Sequence, residues 1–140
     1  MNQTRHRSRY AALALAALAA TLSACDDDDD PTNVVPVATT IAINSGSNNL
    51  SGTAGQALST PISVRVRDQD GDVMSGATVT WTVASGGGSV SAATSTTNAT
   101  GDATVTWTLG ATPGANTLTA AIANGQSVTI TATGTAPAGG

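Results

Sequence analysis

The 140-residue sequence has no lysine, no glutamate and no phenylalanine, and one each of cysteine, histidine and tyrosine. Each absence excludes something. A single cysteine cannot close an intramolecular disulfide, so a small secreted domain has to hold together by its core alone. Its one histidine and one tyrosine, His6 and Tyr10, stand before residue 11. The rest of the chain therefore has no imidazole, no amine side chain and no phenol. Ser/His and Cys/His nucleophile–base pairs are impossible there, as are histidine metal sites. Only carboxylates remain for acid–base chemistry, and three of them, Asp68, Asp70 and Asp72, crowd into one turn with Asp102 standing apart. The chain reads as non-enzymatic and without a dissociable cofactor.

Charge is scarce, at 10% of residues, and unevenly placed. Arg5, Arg7 and Arg9 precede residue 10, whereas all nine Asp follow Cys25. Beyond Cys25 two Arg face nine Asp, a net charge of −7. Neutralising phosphates needs a basic patch, and Arg65 with Arg67 does not make one, so nucleic acid is excluded as a partner. The hydrophobic fraction of 40% is too high for a disordered polar chain.

Residues 1–24 have the layout of a secretory signal. A basic segment is followed by an apolar run from Ala11 to Leu22, about twelve residues, short for a helix that must cross about 30 Å of hydrocarbon. The run ends in Leu22-Ser23-Ala24-Cys25. That tetrapeptide resembles the lipobox of bacterial lipoproteins, in which small residues before the Cys let the backbone enter a dedicated peptidase. The resemblance implies a diacylglycerol on the Cys25 thiol, acylation of the new amino terminus, and stable membrane anchoring by several acyl chains. An ordinary signal peptide cut after Ala24 is the alternative.

Residues 25–36 read as the lipidated Cys and a flexible acidic tether. Asp26 to Asp30 repel one another, and Pro31 and Pro36 oppose helix and central strand. A run this loose lacks the preformed oxygen cage that calcium requires. Two lipoprotein sorting precedents point opposite ways here: Asp26 resembles an inner-membrane retention signal, and an acidic run resembles a surface-export signal. The outer membrane or cell surface is the favoured location, with the periplasmic face as the other.

From Val37 to Thr135 apolar residues recur with period two, the signature of strands with one buried face. Ile41 and Ile43 come first, then Ile62, Val64 and Val66. Val79, Trp81 and Val83 follow, then Ala103, Val105, Trp107 and Leu109. Leu118, Ala120 and Ile122 precede Val128, Ile130 and Ala132. Outward positions are mainly Thr, suited to a half-exposed pleat. Turn signals separate the runs, among them Asp68-Gln69-Asp70-Gly71-Asp72, Gly86-Gly87-Gly88 and Asn124-Gly125, the last marking a hairpin. About seven strands over roughly 100 residues predict an all-β Greek-key sandwich of immunoglobulin type. Its core is expected around Val64, Val66, Val79, Trp81, Val105, Trp107, Leu118 and Ile130, with residues 136–140 a flexible tail. Replacing either Trp by Ala should cost about 3–5 kcal/mol. The competing role for these indoles is a surface platform that stacks sugars.

The turn at Asp68, Asp70 and Asp72 has oxygens at alternate positions around a Gly, like the start of a calcium loop, but lacks the remaining ligands. A polar inter-strand turn is the simpler reading, and no metal is assigned. Arg65 and Arg67 read as a solvated strand face that also guards a sheet edge.

The segments Pro61–Asp68, Gly76–Trp81, Gly86–Val90, Trp107–Gly110 and Gly114–Ala120 together resemble a bacterial Ig-like domain of group 1 (Big-1), the module of invasins and intimins. The resemblance implies a disulfide-free Ig-like sandwich that serves display or adhesion. The 140 residues hold one copy, with no barrel and no lectin-like tip, so cell invasion is not carried over. The expected function is a lipid-anchored, non-enzymatic envelope module for adhesion, display or structure. The alternatives are a carbohydrate-binding module and an accessory scaffold subunit. Its partners would be the membrane, through the lipid, and a protein or glycan.

Overall fold

The computed structural model describes residues 34–139; the leader, Cys25 and the acidic run lie outside the described residues. Period-two alternation becomes strand over most of its length. In chain order the strands are β1 (Thr40–Ile43), β2 (Leu50–Thr53), β3 (Ile62–Arg67), β4 (Thr78–Ser85) and β5 (Ser89–Val90). They continue with β6 (Thr94–Thr96), β7 (Asp102–Val105), β8 (Trp107–Thr108), β9 (Gly114–Ile122) and β10 (Ser127–Thr135). Seven have four residues or more, while β5, β6 and β8 are short pieces. There is no helix among the described residues.

A three-stranded sheet has the order β1-β3-β7, a five-stranded sheet the order β2-β10-β9-β4-β6, and β5 with β8 forms a small ribbon. All pairings are antiparallel except that of β2 with β10, which is parallel. This is an Ig-like sandwich. One core joins the layers: Ile62, Val64, Val66 and Val105 from the smaller sheet meet Val79, Trp81, Leu118 and Ile130 from the larger. Burying each such Val, Ile or Leu stabilises the fold by about 1.5–3 kcal/mol.

Both indoles belong to this core. Trp107 is completely buried and Trp81 nearly so, its Nε1 donating to Ser95 Oγ at 2.8 Å. The Trp107 Nε1 has no acceptor among the described residues. Residues 103–109 read as one strand in the sequence, yet the structure divides them at Thr106. β7 pairs with β3, whereas β8 pairs with β5. At the break, Ser91 N donates to Thr106 O (2.9 Å) and Thr106 N to Ser91 Oγ (3.1 Å). Ala103, Val105, Trp107 and Leu109 all stay buried across it. Periodicity records which face is inward, and the neighbouring strand can change without disturbing that phase.

The run Gly86-Gly87-Gly88 is a backbone crossing as well as a turn. A Cβ added to Gly110 would collide with the Gly86 carbonyl, and one added to Gly88 with the Thr108 carbonyl. Buried Asn116 closes the crossing: its Oδ1 accepts from Gly110 N and its Nδ2 donates to Gly114 O, both at 3.0 Å. No residue with a side chain would let the two backbones come so close at these glycines.

Candidate functional site

Three turns of one design gather at the pole where the chain enters the domain. In Asp68–Asp72, Gly71 N donates to Asp68 O (3.1 Å) and Asp68 N to Asp72 O (2.9 Å). Asn98–Asp102 repeats this through Gly101 N to Asn98 O (2.9 Å) and Asn98 N to Asp102 O (3.0 Å). The β9–β10 hairpin repeats it again through Gly125 N to Ile122 O (3.0 Å) and Ile122 N to Gln126 O (2.9 Å). Each glycine has a φ near +80°, at +86°, +77° and +88° in turn, the left-handed position of a type I turn closed by a bulge. Asn124 Nδ2 donates to Thr39 O (3.1 Å) and Val37 N to Gln69 Oε1 (2.8 Å), so the incoming segment is bonded to two of the three turns.

This repetition decides what Asp68 does. Its Oδ1 accepts from Asp70 N (3.0 Å) and Asp72 N (2.9 Å). In the sister turn Asn98 Oδ1 accepts from Thr100 N (2.9 Å) and Asp102 N (3.0 Å). A neutral amide fills the same place, so the oxygen is positioned by backbone amides and needs no cation. Among the described residues, no three or more His, Cys, Asp or Glu side chains converge on a point that could hold a metal.

The one ion pair among the described residues joins Arg65, on β3, to Asp102, on β7. Register places them side by side, Arg65 opposite Asp102. Arg65 Nε donates to Oδ1 (2.8 Å) and its Nη2 to Oδ2 (2.9 Å), a bidentate fork. Asn44 Nδ2 donates to Oδ1 (2.8 Å) as well, and Thr100 Oγ1 lies 2.7 Å from Oδ2. The Arg65 fork, with Asn44 and Thr100 adding to it, holds the Asp102 carboxyl well below the usual carboxylate range against the opposing effect of its partial burial. The Arg65 guanidinium is correspondingly raised by its bond to Asp102. With every Asp102 oxygen engaged, the cluster braces the sheet and offers no free base.

That geometry corrects one expectation. Arg65 and Arg67 lie on the central strand of the β1-β3-β7 sheet, so they guard no edge. Arg65 is held by Asp102, and Arg67 Nη1 donates to Gly71 O (2.7 Å) in the turn below. The indoles of Trp81 and Trp107 face inward and provide no surface for stacking a sugar. Sequence reasoning missed the Arg65–Asp102 pair and the buried polar residues Ser47, Thr97 and Asn116. The outward phase of Arg65 was visible, but the register that joins it to Asp102 was not.

Residues 47–135 match the family described as Bacterial Ig-like domain (group 1). The chain belongs to that family. No curated protein sequence matches it. Among solved structures, the Big-1 chain is similar to domains 4–9 of the surface layer protein SbsC, at 26% identity and a TM-score of 0.55, over 75% of this chain and 15% of that one. It is similar to the C-terminal 282-residue fragment of intimin in complex with the intimin-binding domain of the translocated intimin receptor. There the identity is 27% and the TM-score 0.53, over 69% of this chain and 32% of the other. The Yersinia pseudotuberculosis adhesin InvE shares the fold at 23% identity and a TM-score of 0.58, over 73% of this chain and 33% of its own. The Big-1 chain thus spans only a minor part of each of these structures. As an Ig-like module of this family it shares its fold with domains of surface-layer and adhesin proteins.

Proposed function

We propose that this Big-1 domain is a lipid-anchored module of the bacterial cell envelope, held by acyl chains on Cys25 and displayed on an acidic tether for adhesion or for bracing other envelope components. One observation carries the reading: a lipobox-like Leu22-Ser23-Ala24-Cys25 and an acidic tether stand directly before a domain of this family. Several acyl chains hold a protein to a membrane stably where one holds it only marginally. The kinship with surface-layer and adhesin structures supports an envelope location. A protein partner is favoured over a glycan, because both indoles are consumed by the core.

Protease treatment of intact cells, beside a Cys25→Ala control, tests both halves of the proposal. Digestion without lysis supports surface display, whereas protection until the envelope is opened supports an internal scaffold. A Cys25→Ala protein that still fractionates with membranes refutes lipid anchoring.

A further inference from the structure

Asn124-Gly125 is the one asparagine–glycine step in the chain; the other seven asparagines all precede residues that carry side chains. It lies at the tip of the β9–β10 hairpin, where the sister turns have Asp70-Gly71 and Thr100-Gly101. The step sets an electrophile beside a nucleophile. The carboxamide carbon of Asn124, Cγ, is within one ring closure of the main-chain nitrogen of Gly125, and the product of that closure is a succinimide. A side chain on the following residue crowds the ring, and glycine has none. Asn124 and Gly125 are exposed, and a Cβ built on Gly125 meets nothing within 4 Å, so the ring has room and water has access.

The hairpin both primes and restrains this chemistry. Gln126 N donates to Asn124 Oδ1 (2.9 Å), so the oxygen on which charge gathers when Cγ is attacked already faces a donor. Gly125 N donates to Ile122 O (3.0 Å), and that bond must open before the nitrogen can turn to Cγ. Opening the tip of a hairpin is a local event that leaves the core in place. Asn124 Nδ2, the group that would leave, donates to Thr39 O (3.1 Å) and ties the incoming segment to the hairpin.

We propose that Asn124 is a self-modification site, at which loss of the side-chain amide unties the incoming segment from the β9–β10 hairpin. The Gly125 nitrogen gives its proton to solvent and forms a bond to Asn124 Cγ. The Cγ–Nδ2 bond breaks, and the nitrogen leaves as ammonia with a proton taken from water. Water then opens the ring at either carbonyl, giving aspartate or isoaspartate, with no redox change and no other reactant. Both products carry a carboxylate in place of the amide that donated to Thr39 O, and isoaspartate also adds a methylene to the backbone of the turn. The site rests on the hairpin alone and is independent of lipid anchoring.

Warm incubation of the unacylated mature chain at neutral and mildly alkaline pH tests it, followed by ammonia release, enzymatic methylation of isoaspartate and peptide mass mapping. The expected result is conversion at Asn124 ahead of every other asparagine, with isoaspartate formed and a rate that rises with pH. An intact Asn124, or faster conversion elsewhere, overturns the site; aspartate without isoaspartate overturns the ring. Gly125→Ala should slow conversion severalfold, and an unchanged rate overturns the part given to the glycine. Asn124→Asp, which mimics one product, should speed hydrogen exchange at the Thr39 amide, a donor to Arg67 O (2.9 Å), and leave Val64 and Leu118 as in wild type. Unchanged exchange at Thr39, or an equal rise at Val64 and Leu118, overturns the untying.

Discussion

Gly110→Ala isolates the backbone crossing better than any other single change. Gly110 has no positive φ, so alanine suits its backbone, and a Gly→Ala change at such a position normally stabilises by about 0.4–1 kcal/mol through the unfolded chain. Against this, the new Cβ would occupy space held by the Gly86 carbonyl, which is backbone and cannot swing aside. Overfilling of that kind costs about 1–3 kcal/mol. Displacing Gly110 also endangers its bond to buried Asn116, and an unpaired buried amide costs about 1–3 kcal/mol more. The net expectation is destabilisation by about 2–4 kcal/mol, a fall in Tm on the order of 10–25 °C for a domain of this size. Urea unfolding of the mature chain, followed by the fluorescence of Trp81 and Trp107, reads this directly. Gly76→Ala is the internal control: its φ is +78° and a Cβ there meets nothing within 4 Å, so it carries only the left-handed cost of about 1–2 kcal/mol. A Gly110→Ala protein as stable as wild type, or less damaged than Gly76→Ala, would refute the crossing.

Two further outcomes follow from the turns and the ion pair. Because the folded pKa of Asp102 is depressed, its contribution to stability is complete above the unfolded value of about 3.9 and is lost as pH falls from there toward the folded value. The stability gap between wild type and Asp102→Asn should therefore be constant at neutral pH and narrow in denaturation series taken below about pH 4; a gap that widens on acidification contradicts the assignment. Asp68→Asn should leave Tm nearly unchanged, since Asn98 already fills that place in the sister turn, while Asp68→Ala removes two amide bonds and should lose about 1 kcal/mol. Equal losses in both variants would show that the Asp68 charge matters after all.

What the sequence disclosed, and what it hid, follows from the physics of a strand. Alternation of Val, Ile and Trp with Thr is a local signal, one residue in and the next out, and it placed Val64, Trp81, Leu118 and Ile130 on inward faces where they are buried. Turn chemistry is equally local, so Asn124-Gly125 announced the β9–β10 hairpin. Register and partner choice are not local. Nothing within Asp102–Leu109 says that β7 and β8 serve different neighbours, and nothing within Leu50-Ser51-Gly52-Thr53, where only Leu50 is large and apolar, announces a strand. That same segment provides the one parallel pairing among the described residues, and Asn48 Oδ1 accepts from Thr131 N beside it. The Asp68–Asp72 turn shows the limit from the other side. Its spacing of carboxylates suits a cation, but the competing demand, backbone amides needing an acceptor, is met first and by the same oxygen. A motif read from spacing alone is therefore tested by asking which nearby donors already claim its atoms, and at this turn they are the backbone's own.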